Sequence, residues 1–351
     1  MKRSRFLRTI VGLLIAVLFV FFAFKGISFQ SLLHDALRAN FPIIVLATVV
    51  VLFSHFLRAL RWRVILQEVK PEISIVDTWG GIMVGYLVNN FVPRLGEIVR
   101  AYTTGRLEKI SMSSVLGTIV LERLFDLISA GMLVGVALFS YHGELIESFS
   151  FLRAAGLILI AGSFALGAIL YAASVSEKFQ KTILRIIKFA LSQKLAEKAE
   201  TIVLSFLTSF RILRSRKRLG IIIFYTALIW VVLVYTIYIP FFAFNFGANL
   251  HLTFYDAFLM IIITTMAWMV PSPGATGVYH LFVSQALVRI ANVPKDEALA
   301  YATLTHLFGY IAITIVGAIF ALIFTQRLRV KSLGKLVRTM NGGIEKEEPH
   351  P

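Results

Sequence analysis

Cysteine is absent from all 351 residues, and charged residues make up only 15% of the chain. The first absence excludes disulfides, a thiol nucleophile, a thiolate zinc site and a cysteine-ligated iron–sulfur cluster. The second excludes a soluble fold of this size, because soluble domains carry about 25% charged and roughly 45–50% apolar residues. Here 58% of residues are hydrophobic, and the mean hydropathy is +0.81. Too little charge remains to coat a water-exposed surface, so the chain reads as an all-α polytopic membrane protein. Also lacking are a phosphate-binding glycine loop, a dinucleotide fingerprint and, among seven histidines, any H-E-x-x-H spacing. Coupling to ATP therefore has no support, no cofactor or metal is expected, and no convincing nucleophile–base set points to an enzyme. Acidic residues number 19 against 35 Lys and Arg, a formal net charge of +16. In a membrane protein that excess is topogenic, so no nucleic-acid partner is expected.

What is present is a series of long apolar runs. Six read as full spans, near 9–25, 41–58, 114–141, 154–175, 219–244 and 297–325. Most reach the 17–25 residues that cross a hydrocarbon core about 30 Å thick. The first holds fifteen unbroken apolar residues from Ile10 to Phe24, preceded by Lys2, Arg3, Arg5 and Arg8. A signal peptide would look similar. No small-x-small cleavage pattern follows Phe24, so an uncleaved anchor is expected.

Two further regions are apolar but interrupted. Residues 75–92 hold Asp77, Gly80, Gly81, Gly85, Asn89 and Asn90 and run into Pro93, while 254–270 ends at Pro271 and 278–291 stops at Asn292. Apolar segments this short, or broken by Gly and Pro, read as re-entrant elements, here near 75–110 and 254–293. Such backbone survives at membrane depth only inside protein or beside a watery cavity.

Lys and Arg fix the expected orientation. With the N-terminus cytoplasmic and both re-entrant elements returning to their own side, 29 of the 35 fall inside and five outside. Both termini are therefore expected in the cytoplasm, with the protein multi-pass in the cell's inner (plasma) membrane. Spans two and three then flank one re-entrant element, and spans five and six flank the other with opposite orientation. About six full spans plus two re-entrant helical elements thus form an inverted repeat, the plan of transporters whose substrate site lies at the repeat interface.

Residues 1–325 read as one membrane domain with a cytoplasmic amphipathic insertion at about 176–218, where Ile202, Val203, Phe206, Leu207, Phe210 and Leu213 recur at helical spacing. The run Arg214 to Arg218 reads as topogenic anchoring or as a contact for anionic lipid. Residues 326–351 read as a polar cytoplasmic tail without fixed structure.

Three places carry chemistry. In the run from Val92 to Arg100, Arg94, Glu97 and Arg100 crowd beside a break, and Glu97 and Arg100 share a face if the turn after Pro93 is helical. They line a polar interior or close the loop as an interfacial ion pair. In the span 114–141, Glu122 and Asp126 lie on one helical face with Arg123 beside them. Each such charge costs roughly 2.5–3.5 kcal/mol near the bilayer centre, so this face meets protein or water. A structural alternative pairs Arg123 with Glu97 and a carboxylate with Arg100. Between 270 and 280, Pro271 and Pro273 end one half-helix, while Gly274 and Gly277 admit close backbone approach before the next begins. Free N–H groups at that start suit a phosphate, although a tight hairpin without ligand reads equally well. His55 and His306 lie within spans, as hydrogen-bonded packing residues or as proton relays.

Taken in order, Arg61-Trp62-Arg63, Pro93-Arg94-x-Gly96-Glu97-x-x-Arg100, Glu122-Arg123-x-x-Asp126 and Pro271-x-Pro273-Gly274-x-x-Gly277 resemble the flippase-like transmembrane region of the lysylphosphatidylglycerol synthase family. The resemblance covers about residues 10–325. It implies a lipid-translocating membrane domain with inverted re-entrant helices. In two-domain members, the multiple peptide resistance factors, that region moves aminoacylated phosphatidylglycerol to the outer leaflet and precedes a cytoplasmic aminoacyltransferase domain. The residues after 325 hold no such domain, so the resemblance implies no synthase activity here. It implies that Arg94, Arg100 and Arg123 hold a lipid phosphate, while Glu97, Glu122 and Asp126 pair with them or meet a cationic headgroup. Where the family pattern has an acidic residue after the last motif, this chain has His280.

The function expected is movement of a phospholipid or lipid-linked headgroup between leaflets. The cargo is an anionic or aminoacylated phospholipid or a polyprenyl phosphate, with Pro271, Pro273, Gly274, Gly277 and His280 completing the site. Two alternatives differ in class. One is an anchor or partner for a separately encoded lipid-modifying synthase; the other is an intramembrane enzyme on a lipid phosphate with Glu122 or Asp126 as base.

Overall fold

A computed structural model of the chain describes residues 14, 16–140, 151–176, 178, 181, 182, 185, 200 and 209–328. Every regular element among them is a helix. The first, α1 (Ala16–Phe24), bends by 85° into α2 (Phe29–Arg38), whose start is capped by Ser28 Oγ accepting from Ser31 N–H at 3.0 Å. Then follow α3 (Phe41–Leu66), α4 (Ile75–Phe91), α5 (Gly96–Glu108), α6 (Met112–Ser140) and α7 (Phe151–Val175). After a short 3₁₀ turn at Ser209–Arg214 come α8 (Arg216–Ala243), α9 (Phe246–Asn249), α10 (Phe254–Met269), α11 (Val278–Ala291) and α12 (Lys295–Arg327).

Three of these, α3, α8 and α12, are long and apolar enough to cross a membrane, and the bent pair α1–α2 passes the same test jointly. The segments read as spans at 114–141 and 154–175 are the continuous helices α6 and α7. The second span extends eight residues past its expected end at 58, because α3 runs on to Leu66 through Arg58, Arg61 and Arg63. Charges can stay inside a helix when the fold supplies their partners. Most of the expected amphipathic insertion, the residues before Leu14 and the tail beyond Leu328 lie outside the described residues. Within the insertion, the turn at Ser209–Arg214 buries Phe210, Ile212 and Leu213 and exposes Arg211 and Arg214.

The chain divides into two compact units. The first comprises Met1–Leu57, Trp79–Leu107 and Ile229–Pro351; the second comprises Arg58–Thr78 and Glu108–Leu228. In the first unit, Met83, Val84, Val88 and Val99 form a buried cluster with Phe320, Ala321 and Phe324 of α12. In the second, α6 and α7 pack closely enough that a side chain at Gly135 would stand 2.6 Å from Gly156 O. Close approach through small residues is how helices gain dispersion contact where lipid offers no hydrophobic drive.

Both regions read as interrupted are helix–break–helix elements whose breaks lie in the first unit. In the first break the chain leaves α4 at Phe91 and re-enters helix at Gly96, three residues later than a proline-initiated helix at 93 would begin. Arg94 adopts a left-handed φ of 64°, which reverses the chain before α5 can start. Asn89 Oδ1 then caps α5 by accepting from Gly96 N–H at 2.7 Å, and the backbones of Gly85 and Gly96 touch so closely that no side chain fits between them. The second break is longer. α10 opens with a Thr253–Asp256 capping box and ends before Pro271. A left-handed turn through Gly274 (φ 53°) and Ala275 (φ 58°) leads to Gly277 at φ 80°, the N-cap of α11.

Candidate functional site

The first unit brings the two breaks together on one stripe of α12. His306, Tyr310 and Thr314 stand four residues apart, so they share a helical face. His306 Nε2 bonds Gly274 O at 2.8 Å, and Asn90 Nδ2 donates to Thr314 Oγ1 at 2.9 Å. Between them Tyr310 OH donates a long bond, 3.5 Å, to Asn90 O. A side chain at Gly274 would meet the Tyr310 ring at 2.5 Å and Asn90 Oδ1 at 3.3 Å. The absence of a side chain at 274 is thus what lets the second break reach the end of α4. Tyr310 and Thr314 were not among the residues singled out from sequence, and Asn90 was named only as one of the residues interrupting the first segment. The signal for them was the four-residue spacing of polar groups within an otherwise apolar span.

The expected residues of the breaks fall out as follows. Arg94 is exposed, Glu97 is half-buried and Arg100 is buried, with Glu97 and Arg100 one turn apart on α5. Pro271 is exposed and Pro273 half-buried, whereas Gly274, Gly277 and His280 are buried. Gly277 N–H, one of the donors expected to face an anion, donates to His280 Nδ1 at 3.3 Å. Ser272, in the same break, is buried, and its Oγ has no hydrogen-bond partner among the described residues.

Glu122, Arg123 and Asp126 belong to the second unit, where α6 meets the C-terminal part of α3. Asp126 is the hub. Its Oδ1 accepts from Arg61 Nη2 at 2.6 Å, and its Oδ2 accepts from Arg58 Nη1 at 3.4 Å and Arg123 Nη1 at 3.2 Å. Arg61 also stands 3.5 Å from Glu122 Oε1 and donates to Thr226 Oγ1 of α8 at 3.1 Å. The side chains of Arg61 and Glu122 are 0% and 1% exposed. An isolated charge so deep would be prohibitively costly, and the compensation comes from close opposite charges and hydrogen bonds.

This cluster gathers the guanidinium groups of Arg58, Arg61 and Arg123 around the carboxylates of Asp126 and Glu122. The Nε–H groups of Arg58 and Arg61 are buried with no acceptor among the described residues. An oxyanion with several acceptor oxygens, such as a phosphate ester, suits those two donors. Arg58, Arg61 and Thr226 were missed as site residues. The neighbours of Arg61 are likewise anchored: Trp62 Nε1 donates to Thr118 Oγ1 at 2.9 Å, and Arg63 Nε donates to Ile73 O at 2.7 Å.

Comparison with known proteins agrees with the sequence motifs. The family model described as the lysylphosphatidylglycerol synthase transmembrane region matches residues 9–317. A UPF0104 membrane protein of Pyrococcus horikoshii is 23% identical over 342 residues, covering 91% of this chain and 97% of that protein. One of Methanothermobacter thermautotrophicus is 26% identical over 317 residues, 87% of this chain and 92% of that protein. Glycosyltransferase AglD of Haloferax volcanii is 23% identical over 338 residues, which are 90% of this chain but 54% of AglD. No solved structure matches. The family match spans nearly the whole chain, and the chain belongs to the lysylphosphatidylglycerol synthase transmembrane-region family.

Proposed function

We propose that the protein moves a phosphate-bearing lipid headgroup between membrane leaflets while the acyl chains stay in the bilayer. The observation that carries this reading is the partly buried cluster of Arg58, Arg61 and Arg123 around Asp126 and Glu122, in which the Nε–H donors of Arg58 and Arg61 find no acceptor among the described residues. Arg94, Glu97 and Arg100 at the first break, and Pro271, Pro273, Gly274, Gly277 and His280 at the second, are the further residues assigned to headgroup binding. The cargo is an anionic or aminoacylated phospholipid or a polyprenyl phosphate. Six spans, two re-entrant elements in inverted repeat and cytoplasmic termini in the inner membrane fit this function, and the distribution of Lys and Arg supports them.

The test is transbilayer movement in proteoliposomes of the purified protein, with lipids bearing anionic, zwitterionic, aminoacylated and polyprenyl-phosphate headgroups. Headgroup-selective movement that is lost in Arg123→Ala and Glu97→Gln supports the reading. A folded protein that moves none of them removes it.

The likeness to AglD favours one second reading, in which the domain anchors or assists a separate lipid-modifying enzyme. Transport by the purified protein alone counts against it.

A further inference from the structure

The short helix α2 carries an apolar face that no other part of the first unit covers. It is ten residues long, about 15 Å, too short to cross a hydrocarbon core about 30 Å thick. It links α1 to α3, which is long and apolar enough to cross a membrane, and it stands at 85° to α1. The exposed positions of α1 include Val17, Leu18, Phe21 and Phe22, the surface of a helix set in hydrocarbon. A helix turned by a right angle between two such neighbours runs along the bilayer surface.

The residues of α2 divide by angle into three arcs. At 100° per residue, Phe29, Leu33 and Leu37 fall within one arc of about 80°, and they are 76%, 45% and 64% exposed. Gln30, His34 and Arg38 follow in the adjoining arc and are exposed as well. The third arc is docked on protein. There Leu32 is buried with Ala23 of α1 and Leu299 and Ala300 of α12, and Ser31 Oγ donates to Asp296 of α12. A bare apolar arc beside a bare polar one is the pattern of a helix lying at a membrane surface.

A second observation marks the same level. Asn40 N–H, just past α2, donates to Ala243 O at the end of α8 at 2.9 Å. Exposed aromatic side chains gather at that end, among them Tyr235 and Phe242 of α8 and Phe254 of α10. The rings of Tyr235 and Phe254 are 5.3 Å apart, and Tyr238 lies 5.1 Å from Phe242 and 5.6 Å from Phe254. Tyrosines collected at a helix end sit where headgroups meet acyl chains. Charge is balanced there, since Lys25, Arg38 and Lys295 are met by Asp35, Asp296 and Glu297. Attraction to anionic headgroups therefore adds little, and apolar contact holds the helix.

We propose that α2 is an interfacial helix in the leaflet at the C-terminal end of α8, with Phe29, Leu33 and Leu37 among the acyl chains and Gln30, His34 and Arg38 in water. The partner of this face is lipid hydrocarbon, whatever the headgroup. Through Leu32 and Ser31 the helix also holds the start of α12 at that depth.

The chain has no cysteine, so single cysteines take a spin label without competition. The full chain is reconstituted in phosphatidylcholine vesicles with one label at a time. Collisions with oxygen, which prefers hydrocarbon, and with a water-soluble nickel chelate give the depth of each. Labels at Phe29→Cys, Leu33→Cys and Leu37→Cys are expected roughly 5–10 Å inside the headgroup–acyl boundary. Labels at Gln30→Cys, His34→Cys and Arg38→Cys are expected in water, and adding phosphatidylglycerol should leave all six depths unchanged. Six labels in water, or depths that grow steadily along the helix as in a straight span, would overturn the proposal. So would depths seen only with phosphatidylglycerol, or dipolar broadening between labels at Leu33→Cys, which would mean that a second copy covers the face. One variant that misfolds leaves the pattern readable from the other five. No cargo is involved, so failure here is distinct from failure of the translocase reading.

Discussion

Arg61 Nη2 stands 2.6 Å from Asp126 Oδ1, a charged hydrogen bond whose arginine is 0% exposed. The two residues are unequal partners. Asp126 also serves Arg58 and Arg123, whereas Arg61 depends on Asp126, Glu122 and Thr226. Replacing Asp126 by Asn therefore leaves a surplus of buried positive charge, at a cost of about 3–5 kcal/mol. Arg61→Met leaves Asp126 with two guanidinium partners and should cost less. Thermal unfolding of the purified variants checks the order, and equal losses would mean that the pair is not the hub.

Arg58 and Arg123 are the more accessible arginines of the cluster, at 15% and 39% side-chain exposure. Arg58→Gln, which leaves Asp126 two guanidinium partners, should cost about 1–3 kcal/mol of stability. If its guanidinium holds a lipid phosphate, transport of anionic lipid should fall about tenfold or more. Proteoliposome assays on protein of matched stability separate the two effects, and unchanged transport would remove Arg58 from the site.

Gly277 and Gly162 offer a matched pair of glycine-to-alanine changes. Gly277 combines a φ of 80° with backbone of α1 where its side chain would go, while a side chain at Gly162 in α7 meets nothing within 4 Å. Gly277→Ala should cost about 2 kcal/mol or more. Gly162→Ala should stabilise the protein by about 0.5–1 kcal/mol, because alanine is the better helix former. Melting temperatures that shift in the same direction would contradict this account of the second break.

Asn89 caps α5 through Gly96 N–H. Removing that acceptor with Asn89→Ala should cost about 1 kcal/mol, and Asn89→Asp should recover most of it by restoring an oxygen at the helix start. The comparison is made by thermal denaturation, with circular dichroism showing that helix content is otherwise kept. Failure of aspartate to recover stability would assign the effect of alanine to packing instead.

Much of this was legible in the chain before its structure. Proline and glycine mark both breaks because they act on the local backbone, and Glu122, Arg123 and Asp126 stand out because a span does not otherwise tolerate them. What escaped was set by distant partners. Arg58 and Arg61 lie 68 and 65 residues from Asp126, and at the end of an apolar run they look like ordinary topogenic charges. Pro93 marked the first break but not its exit, which is fixed by the left-handed turn at Arg94 and the reach of Asn89. Tyr310 escaped because a tyrosine in a span looks like any aromatic until a glycine from a remote break lies against it.

The Arg61-Trp62-Arg63 run has a further consequence. Its three side chains bond to Asp126, Thr118 and Ile73 O respectively. Consecutive residues of a helix point about 100° apart, so these bonds grip α3 from different sides. They act as a key that admits a single rotational setting. An inserted or deleted residue between Arg58 and Arg61, both of which bond Asp126, would turn the three side chains away from that register together, whereas a single substitution loses one bond. The spacing of those residues should therefore be guarded more strictly than the identity of the residues between them.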